Sequence, residues 1–94
     1  MSNVFEVTDK SGRKIRLTEN QWSHIRVDHP DVEEEEIKQT LKDPLKILEK
    51  RENKYLYYQY FKHKKTPAKF LKVIIKYLNG EGFVITAHFV KNIN

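Results

Sequence analysis

The sequence predicts an α+β domain in which a short N-terminal hairpin and two helices pack on one face of a four-stranded antiparallel meander. Three observations carry this. Capping signals and proline stops bound two helices before residue 44. Hydrophobicity alternates with period two from Leu45 onward, and turn-forming segments split that second half into four runs. The 94 residues show no internal repeat and leave room for one domain, residues 1–94, with one modest core. With 38% hydrophobic and 33% charged residues and only three Gly and three Pro, the composition is that of a domain folding alone or as a small oligomer such as a homodimer.

In chain order, residues 4–7 and 14–17 flank Asp9-Lys10-Ser11-Gly12, whose turn chemistry predicts a minor hairpin. Thr18-Glu19-Asn20-Gln21 matches a capping box, with Thr18 at the N-cap and Gln21 at N3, while Leu17 and Trp22 occupy the positions of a hydrophobic staple. The helix it opens runs to about Asp28, because Pro30 disfavours helical geometry at His29. Asp31 opens a second helix with Glu34 at N3, glutamates at its positive end and Lys38 and Lys42 at its negative end, closed by Pro44. Strands are expected over 46–51, 55–63, 70–78 and 82–90. In the third of these, Leu71, Val73, Ile75 and Tyr77 face the helices, leaving Phe70, Lys72, Ile74 and Lys76 on the open face. In the last, Phe83, Ile85, Ala87 and Phe89 are expected in the core, with Thr86 and His88 looking out beside Lys72 and Lys76.

The net charge is +5, unevenly spread: residues 1–43 hold seven Lys/Arg and ten Asp/Glu, residues 44–94 eleven and three. Nine of the eleven aromatic residues lie in the basic half. Cationic surface interleaved with aromatic rings suits a polyanion with stackable bases, although the same alternation also describes strand core opposite a solvated lysine face. Zero cysteines exclude a disulfide framework and a thiolate zinc site. No apolar run approaches the roughly 20 residues of a spanning helix, and MSNVFEVTDK lacks the apolar stretch of a signal peptide. The expectation is a cytoplasmic chain with no membrane partner.

Acid–base chemistry is left mainly to histidine. His24 and His29 lie on or at the end of the first helix, with Asp28 one turn after His24 and able to fix its tautomer. Their spacing puts them about 140° apart, which suits neither shared metal ligation nor an H-E-x-x-H site. Glu33 to Glu36 read as a solvated acidic face, and Gly12, Gly80 and Gly82 as turn residues rather than a phosphate loop. On the open sheet face Thr86, His88 and Lys72 are expected to converge, with Arg51 and Glu49 nearby if their strand parity matches. An imidazole, a hydroxyl and fixed cations suit a phosphodiester, and RNA carries its own nucleophile in the 2′-hydroxyl, so that no metal or other cofactor is needed.

Leu17-Thr18, Trp22-Ser23-His24-Ile25, His29-Pro30-Asp31, Asp43-Pro44, Arg51 before Tyr57-Tyr58, Val73-Ile74-Ile75 and Phe83-Val84-Ile85-Thr86-Ala87 occur here in a characteristic order. Over residues 15–90 the chain thereby resembles the phage and prokaryotic nuclease-fold proteins of the barnase, EndoU, colicin and RelE class (the BECR fold). The resemblance implies N-terminal helices on a four-stranded antiparallel meander and a metal-independent ribonuclease, often in toxin–antitoxin or phage-conflict settings with an antitoxin as partner. By position it implies His24, His29, Arg51 and Thr86 as site residues. Such sequences usually carry Tyr or Phe at position 88. His88 therefore either adds an acid–base group or marks the position as non-catalytic.

The leading expectation is a small endoribonuclease. His24 or His88 act as base and acid, Arg51 and Lys72 stabilise the charge gathered on phosphorus, and Thr86 positions a phosphate oxygen. Tyr57, Tyr58, Lys62, Lys64 and Lys65 hold the RNA by stacking and phosphate contact. The alternative is a non-catalytic RNA-binding or partner-binding module.

Overall fold

Alternation between Phe5 and Val7, and between Ile15 and Leu17, gives the first two strands a buried face, so the N-terminal hairpin must lie against something apolar. In the computed structural model, which describes residues 2–93, it completes the sheet. The elements are β1 (Asn3–Thr8), β2 (Lys14–Thr18), α1 (Glu19–Asp28), α2 (Glu34–Lys42), β3 (Lys46–Glu49), β4 (Lys54–Tyr60), β5 (Phe70–Leu78) and β6 (Glu81–Val90). They form one six-stranded mixed sheet in the order β1-β2-β6-β5-β4-β3 with two helices, an α+β fold. The expected four-stranded antiparallel meander with a minor hairpin is thereby corrected. β3 to β6 do pair antiparallel in sequence, but β2 adds alongside β6 in parallel, through Ile15↔Gly82 and Arg16↔Phe83.

Two features make that junction. Gly82 is a buried strand residue rather than a turn residue, and a Cβ there would stand 3.0 Å from Ile15 Cγ1 and 2.9 Å from Tyr77 Cε1. Only glycine lets the two strands close with Ile15 between them. On the opposite face, Arg16 bonds Glu6 at 2.6 Å and Glu81 at 2.5 Å, tying β1, β2 and β6 together.

The cap of α1 forms as its sequence requires, with Thr18 Oγ1 accepting from Gln21 N at 3.2 Å. The Gln21 side chain does not return to the cap; its amide donates to the Ile85 carbonyl at 2.5 Å, fastening the helix to β6. α2 starts two residues later than expected. Its N-cap is Glu33 and its N3 residue Glu36, whose carboxylate accepts from Glu33 N at 2.9 Å. Glu36 is only 6% exposed, so the run 33–36 is not wholly a solvated face.

Leu71, Val73, Ile75 and Tyr77 point into the core with Ile25, Val32, Ile37 and Leu41. β6 departs from the expected parity. Ile74 pairs with Thr86 but Ile75 with Val84, so a bulge absorbs Ile85 and reverses the alternation. Val84 replaces Phe83 and Ile85 in the core, and Ile85 is 40% exposed. Beyond the bulge Ala87 faces inward, and Thr86 and His88 share the open face with Ile74 and Lys72. β4 ends at Tyr60, which places His63 in the following loop rather than in a strand.

Candidate active site

Helix α1 ends where Pro30 requires, and the backbone turns back on itself through Val32 N donating to His29 O at 3.1 Å. Val32 is buried, which anchors the turn. The result carries His29 off the helix to His88 on β6. Their rings stack with centroids 5.2 Å apart and planes 25° from parallel. Lys72, the cross-strand partner of His88, completes the group, and Thr86 lies two residues back on the same face of β6. Burial holds the His88 pKa below its ordinary 6.5; the His29 and Lys72 charges lower it further, against an opposing effect from Asp31. Two imidazoles, one kept neutral, thus sit beside a cation and a hydroxyl, all half-buried.

The structure therefore brings together His29, His88, Lys72 and Thr86. It does not bring the other candidates there. His24 is exposed on the flank of α1, with no ring stacking or side-chain hydrogen bond among the described residues. Arg51 lies in the β3–β4 turn at the far edge of the sheet, where Glu52 and Asn53 adopt left-handed backbone angles. Glu49 pairs with Tyr55 and so has the parity of the core face.

The RNA-stacking expectation for Tyr57 and Tyr58 meets burial. Tyr57 is 2% exposed, its hydroxyl 2.6 Å from Asp9 Oδ2 and 2.9 Å from the Tyr77 hydroxyl. Asp9 also accepts from Ser11 N, Ser11 Oγ and Arg13 N, so the network seals the β1–β2 turn against β4 and β5. Tyr58 is 3% exposed on the open face, and no base can lie on its ring. Among the loop lysines, Lys62 and Lys65 are exposed. Lys64 is not available as a phosphate contact: its Nζ lies 3.0 Å from Glu36 Oε2 and 2.7 Å from the Asp31 carbonyl, above the Phe89 ring.

Five residues that the sequence did not mark as functional, Lys50, Leu56, Val90, Lys91 and Asn92, border the same open face. A cleft of about 620 Å³ is lined by Lys50, Leu56, Tyr58, Lys72, Val90, Lys91 and Asn92. Its signal was present in the alternation of β3, whose Lys46 and Leu48 oppose Tyr58 and Leu56, but the fold of residues 91–92 over that face was not legible. A cavity of similar volume between α2 and the β4–β5 loop has three carboxylates, Glu33, Glu35 and Glu36, against the single lysine Lys62 and His63, a lining that favours a polyanion less than the cleft above. Among the described residues, no three His, Asp or Glu side chains are placed to share a metal ion, and no helix is long and apolar enough to cross a membrane. Compared with protein-family models, curated proteins and solved structures, the chain matches none.

Proposed function

We propose that this chain is a small metal-independent endoribonuclease whose acid–base pair is His29 and His88. The observation that carries the reading is the stacking of the two rings at 5.2 Å beside Lys72, which joins two histidines far apart in sequence, one after α1 and one on β6. His88, kept neutral, takes the proton from the ribose 2′-hydroxyl. The 2′-oxygen attacks phosphorus, and the bond to the 5′-oxygen breaks as His29 delivers a proton to it. The products are a 2′,3′-cyclic phosphate and a 5′-hydroxyl. Lys72 offsets the negative charge gathered on the phosphate oxygens, and Thr86 holds one of them. The sequence resemblance to the nuclease class supports the same reaction, with His88 supplying an acid–base group where those sequences usually carry Tyr or Phe.

Purified protein incubated with total RNA, with and without EDTA, tests this. The expected result is cleavage in both conditions, products with 2′,3′-cyclic ends, and a loss of about 10² or more in rate for His88→Ala and for His29→Ala. Retardation of RNA without cleavage overturns the catalytic reading in favour of an RNA-binding module. Cleavage at wild-type rate by both variants overturns the assignment of the pair.

A further inference from the structure

We infer that the cleft walled by Lys50, Lys72 and Lys91 is a phosphate subsite, which seats the phosphodiester next to the one being cut. The cleavage beside the subsite rests on the endoribonuclease reading, whereas the subsite itself rests on the geometry of the cleft. Lys72 is the register partner of His88 on one side and of Tyr58 on the other, so His88, Lys72 and Tyr58 form one row across three strands of the open face. At about 4.8 Å per strand the row spans about 10 Å, and Lys72 stands between the histidine pair and the cleft.

The charge of this cleft is uncompensated. Lys10, Arg16, Lys38 and Lys64 are each engaged by a carboxylate, whereas none of Lys50, Lys72 and Lys91 forms an ion pair among the described residues. No carboxylate lines the cleft. Three unpaired cations around one concavity focus a positive potential on it. The floor adds a directional donor. Tyr58 has its ring enclosed and its hydroxyl without a hydrogen-bond partner among the described residues, and no side-chain polar atom there is both buried and unsatisfied, so the hydroxyl reaches the cleft. Burial raises its pKa, which keeps it a donor. A tetrahedral anion bearing several acceptor oxygens meets these groups; a nucleobase, with no exposed ring to lie on, does not. The path so defined crosses the open face from His88 through Lys72 towards Tyr58 on β4.

The test uses three oligonucleotides: a ribodinucleotide with one phosphate, a hexanucleotide with a single cleavable ribose and 2′-O-methyl groups elsewhere, and the fully 2′-O-methylated hexanucleotide. Lys50 and Lys91 are exposed, so the Lys50→Ala/Lys91→Ala variant keeps its fold, which a thermal melt checks. Its affinity for the fully methylated hexanucleotide is expected to fall roughly tenfold, with a salt slope shallower by about 1.4. The wild-type preference for the cleavable hexanucleotide over the dinucleotide is expected to fall by a similar factor. Tyr58→Phe, which retains the ring, weakens hexanucleotide binding several-fold. Unchanged binding and preference in the double variant overturn the subsite and leave the ribonuclease reading standing if the dinucleotide is cut. A wild-type protein that cuts neither substrate, but binds the hexanucleotide through Lys50 and Lys91, overturns the ribonuclease reading and retains the subsite. Failure of the wild-type protein to bind the hexanucleotide overturns the subsite itself.

Discussion

Lys64 separates a structural lysine from a recognition lysine, and its removal should be costly. Its side chain is only 14% exposed, and its ammonium meets the buried Glu36 carboxylate at 3.0 Å, the Asp31 carbonyl at 2.7 Å and the Phe89 ring at 4.5 Å from the centroid. In Lys64→Ala the carboxylate stays buried and keeps only His63 Nε2 at 2.9 Å and its capping bond to Glu33 N. Breaking a buried pair costs about 3–5 kcal/mol, and the two surviving partners put this case at the lower end, about 3 kcal/mol. For a domain of this size that corresponds to a fall in melting temperature of roughly 12–24 °C. The assay is urea unfolding followed by Trp22 fluorescence, since Trp22 packs against the core. Lys62→Ala and Lys65→Ala, on the exposed loop, should stay within about 0.5 kcal/mol. A double-mutant cycle with Glu36→Gln should give a coupling of about 1.5–3 kcal/mol. A Lys64→Ala variant as stable as the two controls, or a coupling near zero, would refute the reasoning and return Lys64 to the candidates for RNA contact.

Gly82→Ala should destabilise by about 1–3 kcal/mol in the same assay, because its methyl group meets Tyr77, Ile15 and Ile75 at 2.9–3.2 Å; a neutral effect would contradict the close β2–β6 junction. Burial alone would raise the Asp9 pKa, but the bonds from Ser11, Tyr57, Arg13 and Tyr77 outweigh it and hold it below 3.8. Its stabilisation is therefore complete above the unfolded value and lost as pH falls through the folded one, so Asp9→Asn should flatten that acid limb of a stability–pH curve. In cleavage, the acid limb of the kcat/KM profile should have its midpoint below 6.5, and Lys72→Met should move it upward by removing a like charge from His88. A midpoint unmoved by Lys72→Met would show that His88 is not the base.

What was legible in the sequence is what short-range chemistry decides. The Thr18 cap needs only the amide three residues on, Pro30 and Pro44 end helices through their own rings, and the alternation of Leu71, Val73, Ile75 and Tyr77 follows from the two-residue strand period. His29, His88, Lys72 and Thr86 could be nominated as residue types suited to phosphodiester chemistry. The sequence could not say which histidine would meet His88, since that depends on how the chain turns after Asp28 and where α1 lies against β6. The tertiary structure decided this, as it decided the rest that the sequence hid. One extra residue at Ile85 reverses the side-chain parity of β6, a shift invisible to pattern reading because Phe83 and Ile85 are as apolar as Val84. β2 joins β6 across more than sixty residues because Gly82 leaves space for Ile15, and glycine alone signals a turn as readily as a close approach. Glu36 and Lys64 read as surface charges until packing buries them together, since burial is a property of neighbours and not of the residue.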